Sequence, residues 1–379
     1  MRIFISAPRF EPARTLGGEA YFRSFLRALS EVKNEERVAV LASEKGCEWG
    51  EKLAKSFEWI PQSVSNSKVK RIIHERNNAE KTAGKWQADV VLFPFNYMPR
   101  FRLPNVLIVH DLVNEFYCRQ FPRFRPVYYR IMRYIVRRSI NRAAAIVTMT
   151  NATRNEMYRH RLIKPKQIVH LAPLSAEMPW RETRRPSSLA SDGRQLILQS
   201  GDHLPHKNHL TGILAMAELR QNFPEVFKRV QMVLTCGFNR DQKLKELVER
   251  KNLNANVSFI GKLPNEELEW LMQNAALFSF PTLHEGFGLG VVEAQLRRLP
   301  VVASDLPVLR EVSGGAAAFF EPSNHVKMAE TMATLLTDES YRQNLTQQGF
   351  ENVKRWSWTD NAQKVLAVLR STALNGKKS

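Results

Sequence analysis

Short apolar runs alternate with amphipathic stretches along most of the chain. Residues 2–7, 37–41, 89–93, 106–110 and 145–149 have the β-branched and apolar content of strands, and the segments between them have helical patterning. That alternation predicts a parallel sheet wrapped by helices. Residues 180–193, with Pro186, serines and several arginines, follow no period and read as a linker. The pattern then restarts, with strands at 195–200, 231–235, 256–260, 276–280 and 300–303 and helices such as 241–251. Residues 341–374 are helical in composition, long enough for a terminal helix that crosses back to the first domain. The expected organisation is therefore a Rossmann-like domain over 1–178 completed by a helix at 358–379, a linker at 179–193, and a second Rossmann-like domain over 194–357.

Composition supports that division. A chain of 379 residues exceeds what one core organises, and 44% apolar with 25% charged residues excludes disorder as the main state. Charge adds a partner. The formal net charge is +19, and residues 1–175 alone hold 31 basic against 15 acidic side chains. Such asymmetry points the first half at something anionic: a membrane surface, an acidic substrate or nucleic acid. Cys47, Cys118 and Cys236 are scattered, with no Cys-x-x-Cys pair, so neither a disulfide framework nor a structural zinc site is expected, and a reducing cytosol fits. The opening Met-Arg-Ile-Phe-Ile-Ser-Ala-Pro is too short for a signal-peptide core, and no run is long enough to span a membrane. No internal repeat is evident.

The strongest local signal is Leu277-Phe-Ser-Phe-Pro-Thr-Leu-His-Glu-Gly-Phe-Gly-Leu-Gly-Val-Val-Glu-Ala-Gln-Leu, an apolar strand, a glycine-rich turn and a helix beginning near Gly288. Gly286, Gly288 and Gly290 would let backbone N–H groups approach a ligand at a helix N-terminus, which makes a cradle for phosphate. A turn that needs glycine for geometry alone is the plain alternative. Glu285 precedes the helix and Glu293 lies within it. Glu293 adjoins an apolar stripe of Leu289, Val292 and Leu296, which turns its carboxylate towards the interior or a crevice, where ribose hydroxyls would serve as partners. A solvated pair with Arg297 at i+4 is the alternative.

These residues carry a resemblance. His284-Glu285-Gly286-Phe287-Gly288-Leu289 through Glu293, followed by Leu299-Pro-Val-Val-Ala-Ser-Asp-Leu-Pro-Val-Leu-Arg-Glu-Val, resembles the Glu-x7-Glu signature of glycosyltransferase family 4 (glycosyl transferases group 1), retaining enzymes of the GT-B fold. The resemblance implies two Rossmann-like parallel-sheet domains facing across a cleft. It also implies that Glu285 approaches the donor hexose, that the amides of Gly286, Phe287, Gly288 and Leu289 hold sugar and phosphate, and that Glu293 binds the nucleotide ribose. Ser200-Gly-Asp-His-Leu-Pro-His-Lys-Asn-His-Leu follows a strand where the family carries Gly-Arg-x-x-x-x-Lys-Asn/Gly, so Lys207 matches the diphosphate-binding lysine. An ammonium there offsets the charge that grows on a departing diphosphate. The chain departs from the family at Asp202, where many relatives place Arg, and an acid near two phosphates is repulsive unless turned away. His203, His206 and His209 could compensate as partly charged donors. Metal ligation by them is not expected, because their spacing crosses Pro205 and no acidic or Cys ligand accompanies them.

In the first half, Thr15-Leu-Gly-Gly-Glu-Ala-Tyr-Phe places Gly17 and Gly18 at the start of an amphipathic helix. They resemble the family's N-terminal glycine loop beside the donor diphosphate, although an ordinary helix start has the same appearance. Val106-Leu-Ile-Val-His-Asp-Leu puts His110 and Asp111 at the C-terminal end of an apolar strand. The resemblance gives His110 a sugar-positioning role; a histidine hydrogen-bonded at a strand end is the alternative. Between Arg119 and Arg142 there are eight arginines and no acid, interleaved with aromatic residues. Arg123, Arg125, Arg130, Arg133 and Arg137 are assigned to the membrane and acceptor side, as an interfacial segment on anionic lipid. Nucleic acid has the same electrostatic footprint, but no RNP-like, zinc-finger or KH pattern accompanies it, and none is expected. A solvated charged face is the remaining reading.

Taken with the resemblance, these residues imply a retaining hexosyltransferase that moves a mannose-like or glucose-like sugar from a nucleotide-diphosphate sugar to a glycan or lipid-linked acceptor. Lys207, Glu285 and His110 are its expected catalytic residues. The setting implied is cell-envelope polysaccharide or lipopolysaccharide synthesis, in the cytoplasm and peripheral to the inner face of the membrane. No Asp-x-Asp occurs, so no metal and no cofactor are expected. Two rival readings stand beside it. One is an NAD-dependent oxidoreductase, although the glycine spacing is wrong for Gly-x-Gly-x-x-Gly and leaves Glu293 without a role. The other is a non-catalytic membrane- or nucleic-acid-binding protein that uses the arginine-rich stretch.

Overall fold

A computed structural model describes residues 1–8, 10, 17–62, 78–165, 167–176, 182–189, 192–235 and 242–376. Thr15, Leu16, Cys236 and several residues of the expected linker, Trp180 among them, lie outside this set. The chain divides into two units, Met1–Leu174 with Ser357–Ser379, and Ser175–Trp356.

The first unit is built on a seven-stranded parallel sheet of order β3-β2-β1-β4-β5-β6-β7. Its strands are β1 (Arg2–Ser6), β2 (Arg37–Ala42), β3 (Glu58–Pro61), β4 (Val90–Phe93), β5 (Asn105–Val109), β6 (Ala145–Thr148) and β7 (Val169–Leu171). Every residue of β4, β5 and β6 is buried. Helices cover both faces of such a sheet, so alternate side chains on either face meet apolar neighbours and the strands read as continuous apolar runs. The two edge strands, β3 and β7, do not follow from the apolar pattern: β3 is Glu-Trp-Ile-Pro, with no fully buried residue. Edge strands pack on one side only and tolerate charge and proline.

Residues 341–374, which read as one helical stretch, form two helices, Glu339–Val353 and Trp358–Gly376. The break coincides with the return of the chain to the first unit. Ser357 starts the second helix: its carbonyl accepts from the Asn361 N–H at 3.0 Å and its Oγ from the Asp360 N–H at 3.4 Å. Ser-x-x-Asp at 357–360 is a helix-start signature that marks this break in the sequence. The terminal helix packs against the helix Gly17–Val32 and the central strands. Asn361 Nδ2 donates to the Ala172 and Pro173 carbonyls at 2.7 and 3.0 Å, and Arg370 pairs with buried Glu36 at 2.6 Å.

The second unit holds a six-stranded parallel sheet of order β10-β9-β8-β11-β12-β13. The strands are β8 (Gln195–Gln199), β9 (Val230–Leu234), β10 (Val257–Phe259), β11 (Leu277–Phe280), β12 (Val301–Ser304) and β13 (Ala318–Phe320). Again the edge strand β13 is the one the apolar pattern does not foresee. In both sheets the chain winds outward in opposite directions from a central pair, β1 and β4 in one, β8 and β11 in the other. Loops leaving the carboxyl ends of such a pair diverge and leave room for a ligand.

Candidate functional site

In the second unit the loops after β8 and β11 bring Lys207 and Glu285 together. Lys207 Nζ lies 2.6 Å from Glu285 Oε1, both side chains are largely buried, and the ammonium sits over the Phe280 ring, 5.7 Å from its centroid. The backbone enforces this meeting. Lys207 ends a short 3-10 turn, Pro205–Lys207, and Asn208 follows in the left-handed region at φ 54°. Asn208 Nδ2 donates to the Pro281 carbonyl at 3.0 Å, while the His206 carbonyl accepts from the Leu283 N–H at 2.7 Å and from Thr282 Oγ1 at 3.0 Å. Burial pushes the Glu285 carboxyl up, but Lys207, His206 and His284 outweigh it and hold the group below the usual carboxylate range. Glu285 is therefore an anion at neutral pH.

The glycine turn feeds the helix Leu289–Leu296, with Gly288 as its N-cap at φ 88° and ψ 48°. A Cβ on Gly288 would also fall 2.6 Å from Leu309 Cδ2, so geometry and packing both demand glycine here. Phe287 is buried edge-on against Trp356, centroids 5.9 Å apart, which leaves its backbone as the part available to a ligand. The buried face of the helix consists of Val291, Val292, Ala294 and Gln295. Leu289 and Leu296, expected in an inward stripe with Val292, are instead half-buried along with Glu293, and the three share one side of the helix. The alternative pairing of Glu293 with Arg297 is displaced by a stronger partner. Arg297 grips Glu269 through Nε and Nη2 at 2.8 and 2.6 Å in a buried bidentate pair, and its Nη1 donates to the Glu293 carbonyl at 2.9 Å. The helix that carries Glu293 is thereby tied to the helix Asn265–Asn274.

Behind the Lys207 turn runs a buried relay that sequence reading did not identify. Ser279 Oγ donates to Gln199 Oε1 at 2.9 Å, Gln199 Nε2 donates to His209 Nδ1 at 2.8 Å, and His209 Nε2 donates to the Asp202 carbonyl at 2.9 Å. The amide donor at Nδ1 fixes the His209 proton on Nε2. Both ring nitrogens are occupied, so His209 is not available as a metal ligand. The relay's signal in the sequence is Gly212, in the helix His209–Asn222 that His209 opens, where a Cβ would overlap the Gln199 amide. The Asp202 carboxylate is turned onto His203.

In the first unit, His110 sits just past the end of β5. Its N–H donates to Asn96 Oδ1 at 2.6 Å, and Nε2 lies 2.7 Å from the Pro94 carbonyl, which as an acceptor fixes the proton there. Nδ1 then carries a lone pair. Burial pushes the imidazole below its ordinary range, against the opposing pull of the Pro94 carbonyl and Asp111, so the ring is neutral at physiological pH. Tyr21 packs edge-on against it at 4.7 Å and Phe95 lies at 6.4 Å. Asp111 Oδ1 accepts from the Val113 N–H and from Asn96 Nδ2 at 3.0 and 3.2 Å. Asn96, three residues past the end of β4, organises both motif residues and was not singled out from the sequence. Gly17 and Gly18 begin the helix Gly17–Val32; a Cβ on Gly18 would meet the Phe95 ring at an ordinary 3.8 Å, so packing does not explain that glycine.

The arginine-rich stretch forms most of a helical hairpin, Val113–Gln120 and Pro126–Arg142. Tyr117 stacks on Tyr129 at 4.2 Å and on Phe124 at 5.4 Å inside it. The five arginines assigned to one surface divide into two groups. Arg133 Nε lies 3.0 Å from Glu115 Oε2, and Arg137 grips the same carboxylate through Nε and Nη2. Glu115 is 3% exposed, so these two arginines, each about one-third exposed, also serve as counter-charges to a buried acid of the hairpin. The acid lies on the preceding helix, outside the acid-free stretch. Arg123, Arg125 and Arg130 are exposed, as are Val127 at 67%, Ile131 at 53% and Tyr134 at 59%. Among the described residues no helix is long and apolar enough to cross a membrane.

Comparison with known proteins places this geometry in a family. The model of glycosyl transferases group 1 matches residues 181–352, which includes the Lys207 turn, the glycine turn and Glu293. The O-antigen chain mannosyltransferase B of Escherichia coli is 30% identical over 289 residues, 71% of this chain and 73% of that protein. The O-antigen chain mannosyltransferase RfbU of Salmonella typhimurium is 23% identical over 352 residues, 88% of this chain and 92% of that one. Among solved structures, WaaG, a glycosyltransferase involved in lipopolysaccharide biosynthesis, superposes with a TM-score of 0.71 at 18% identity, over 97% of this chain and 99% of that one. That last likeness is one of fold. With two parallel α/β units and a family relationship spanning most of the sequence, the chain belongs to the glycosyl transferases group 1 and is a glycosyltransferase of the GT-B fold.

Proposed function

We propose that this glycosyltransferase moves a hexose, mannose-like or glucose-like, from a nucleotide-diphosphate sugar to a glycan or lipid-linked saccharide acceptor, with retention of anomeric configuration as in glycosyltransferase family 4. The observation that carries the reading is the Lys207–Glu285 pair at the carboxyl ends of β8 and β11, beside a helix N-terminus. Lys207 and the amides of residues 286–289 take up the charge of the leaving diphosphate as the glycosidic C–O bond breaks. The acceptor hydroxyl oxygen bonds to the anomeric carbon on the same face, and its proton passes to the departing phosphate oxygen. Glu285 orients the sugar, and Glu293 binds the ribose hydroxyls. For His110 the proposed role is to accept a hydrogen bond from a sugar hydroxyl at Nδ1. No metal is required in this scheme, because the sequence has no Asp-x-Asp and the leaving charge is met by cation and amides.

The acceptor proposed is a growing cell-envelope or lipopolysaccharide glycan, since the first two relatives above are O-antigen mannosyltransferases. The exposed basic and apolar side of the helix Pro126–Arg142 suits an anionic lipid surface. This supports a peripheral place on the inner face of the cytoplasmic membrane. Incubating the purified protein with GDP-, UDP- and ADP-sugars, GDP-mannose first, and following nucleotide release and melting temperature tests the reading. Release from one donor class, accelerated by a mannosylated acceptor, is expected. No release and no thermal shift with any donor would sink it.

A further inference from the structure

The loop from Gly201 to Leu204 joins β8 to the turn that carries Lys207, and it holds a pair that the scheme above leaves unused. Asp202 Oδ1 accepts from both the backbone N–H and Nδ1 of His203, each at 2.7 Å. An ionised carboxylate can only accept, so the His203 proton is fixed on Nδ1. Nε2 of this ring, which is 34% exposed, has no partner among the described residues.

The loop is firmly supported. The Asp202 carbonyl is the terminus of the buried Ser279–Gln199–His209 relay, and at Gly201, φ 151°, an added Cβ would lie 3.5 Å from the aliphatic stem of Lys207. The relay sets the Asp202 backbone, the Asp202 side chain sets the His203 ring, and the same loop shapes the Lys207 stem. A binding group needs this kind of layered support to be held in one geometry.

The charges add the second part of the argument. Lys207 and Glu285 cancel one another, and Asp202 contributes a further negative charge, so a doubly charged diphosphate needs another donor beside Lys207. With Nδ1 committed to the Asp202 carboxylate, the imidazolium form of His203 presents an N–H and a positive charge at Nε2, the polarity that suits phosphate. The other titratable groups on these loops are His206 and His284, both in electrostatic reach of Glu285, and His209, whose two nitrogens are committed.

We propose that His203, oriented by Asp202, is a binding residue for the donor's diphosphate, donating from Nε2. This rests on the donor-site reading of Lys207 and Glu285. It gives Asp202, the departure from the family's arginine, a function: it holds the ring that carries the cation instead.

Titration calorimetry with GDP and UDP at neutral pH, in a phosphate-free buffer, tests it. His203→Asn is expected to bind about ten- to a hundredfold more weakly than wild type, the range for a lost hydrogen bond to a charged group. His203→Arg, which keeps a cationic donor, is expected to restore affinity, which a merely structural histidine would not allow. His203→Asn that keeps wild-type affinity, or His203→Arg that binds no better than His203→Asn, overturns the proposal. Wild type that binds neither nucleotide overturns the donor-site reading, and this inference falls with it.

Discussion

Lys207 and Glu285 stand 78 residues apart in sequence and 2.6 Å apart in space, each largely buried and each the other's counter-charge. With the proposed donor-site roles of Lys207 and Glu285, the two substitutions are expected to have opposite effects on nucleotide affinity. Lys207→Ala removes the cation and leaves Glu285 facing the diphosphate, so nucleoside diphosphate binding weakens and kcat/KM falls by about 10² to 10³, as for loss of one preorganised donor to a developing anion. Glu285→Gln frees Lys207. Nucleoside diphosphate then binds as well as in wild type or better, while kcat falls because the sugar is no longer held. Calorimetry paired with initial rates separates the two, and weaker nucleotide binding by Glu285→Gln would contradict the arrangement.

The same pair has a pH signature. The Glu285 carboxyl is held below its ordinary 4.5, burial opposing and Lys207, His206 and His284 prevailing. A depressed carboxyl contributes stability that is complete above its unfolded value and is lost as pH falls through the lower, folded value. The melting-temperature gap between wild type and Glu285→Gln is accordingly flat from neutral pH down to about 4.5 and narrows below it. A gap that widened in acid would reverse the sign and rule out a stabilised carboxylate.

How far these features could be read beforehand depended on whether their causes were local. The strands buried on both faces, such as β4, β5 and β6, announce themselves as unbroken apolar runs. Glu-Trp-Ile-Pro at β3 does not, because an edge strand has one neighbour and no need of such a run. Gly288 was legible for the same reason as the central strands: a left-handed N-cap is a local demand that only one residue type meets cheaply. The partners of ionic groups were not. Glu115, which claims Arg133 and Arg137, lies outside the stretch whose acid-free composition suggested a free basic face, and Glu269 claims Arg297 across a helix packing that no spacing rule encodes.

Gly288→Ala tests the turn itself. At φ 88° a Cβ costs about 1 to 2 kcal/mol of backbone strain, and its position 2.6 Å from Leu309 Cδ2 adds an overpacking cost of about 1 to 3 kcal/mol. Gly84→Ala is the matched control, in a helix over 78–85 with nothing within 4 Å of the added methyl. It is expected to be neutral or to gain about 0.5 to 1 kcal/mol. Urea titrations of the two variants should therefore move the midpoint in unlike directions, and equal midpoints would mean that Gly288 is not under that demand.

The helical hairpin makes the last separation, between arginines that hold the fold and arginines that face outward. Burial pushes Glu115 up, but Arg137 and Arg133 keep it well within the ionised state, and the pairing is half-shielded from water. Glu115→Ala leaves two cations over an empty site. Because both guanidinium groups are about one-third exposed, the cost is expected at about 1 to 3 kcal/mol, below the range for fully buried pairs. Among the described residues Arg123, Arg125 and Arg130 make no ion pair, and Arg125 only lies over the Phe124 ring at 5.6 Å, so replacing all three by Gln should leave the melting temperature nearly unchanged. Those same replacements should release the protein from vesicles rich in phosphatidylglycerol, each basic side chain near an anionic surface contributing about 1 kcal/mol. Ile131→Gln, on the exposed apolar side between them, should release it as well at unchanged net charge. Cosedimentation that survives both sets of changes would assign the positive excess of the first unit to some other anionic partner, whereas loss with the triple variant alone would reduce the contact to electrostatics without insertion.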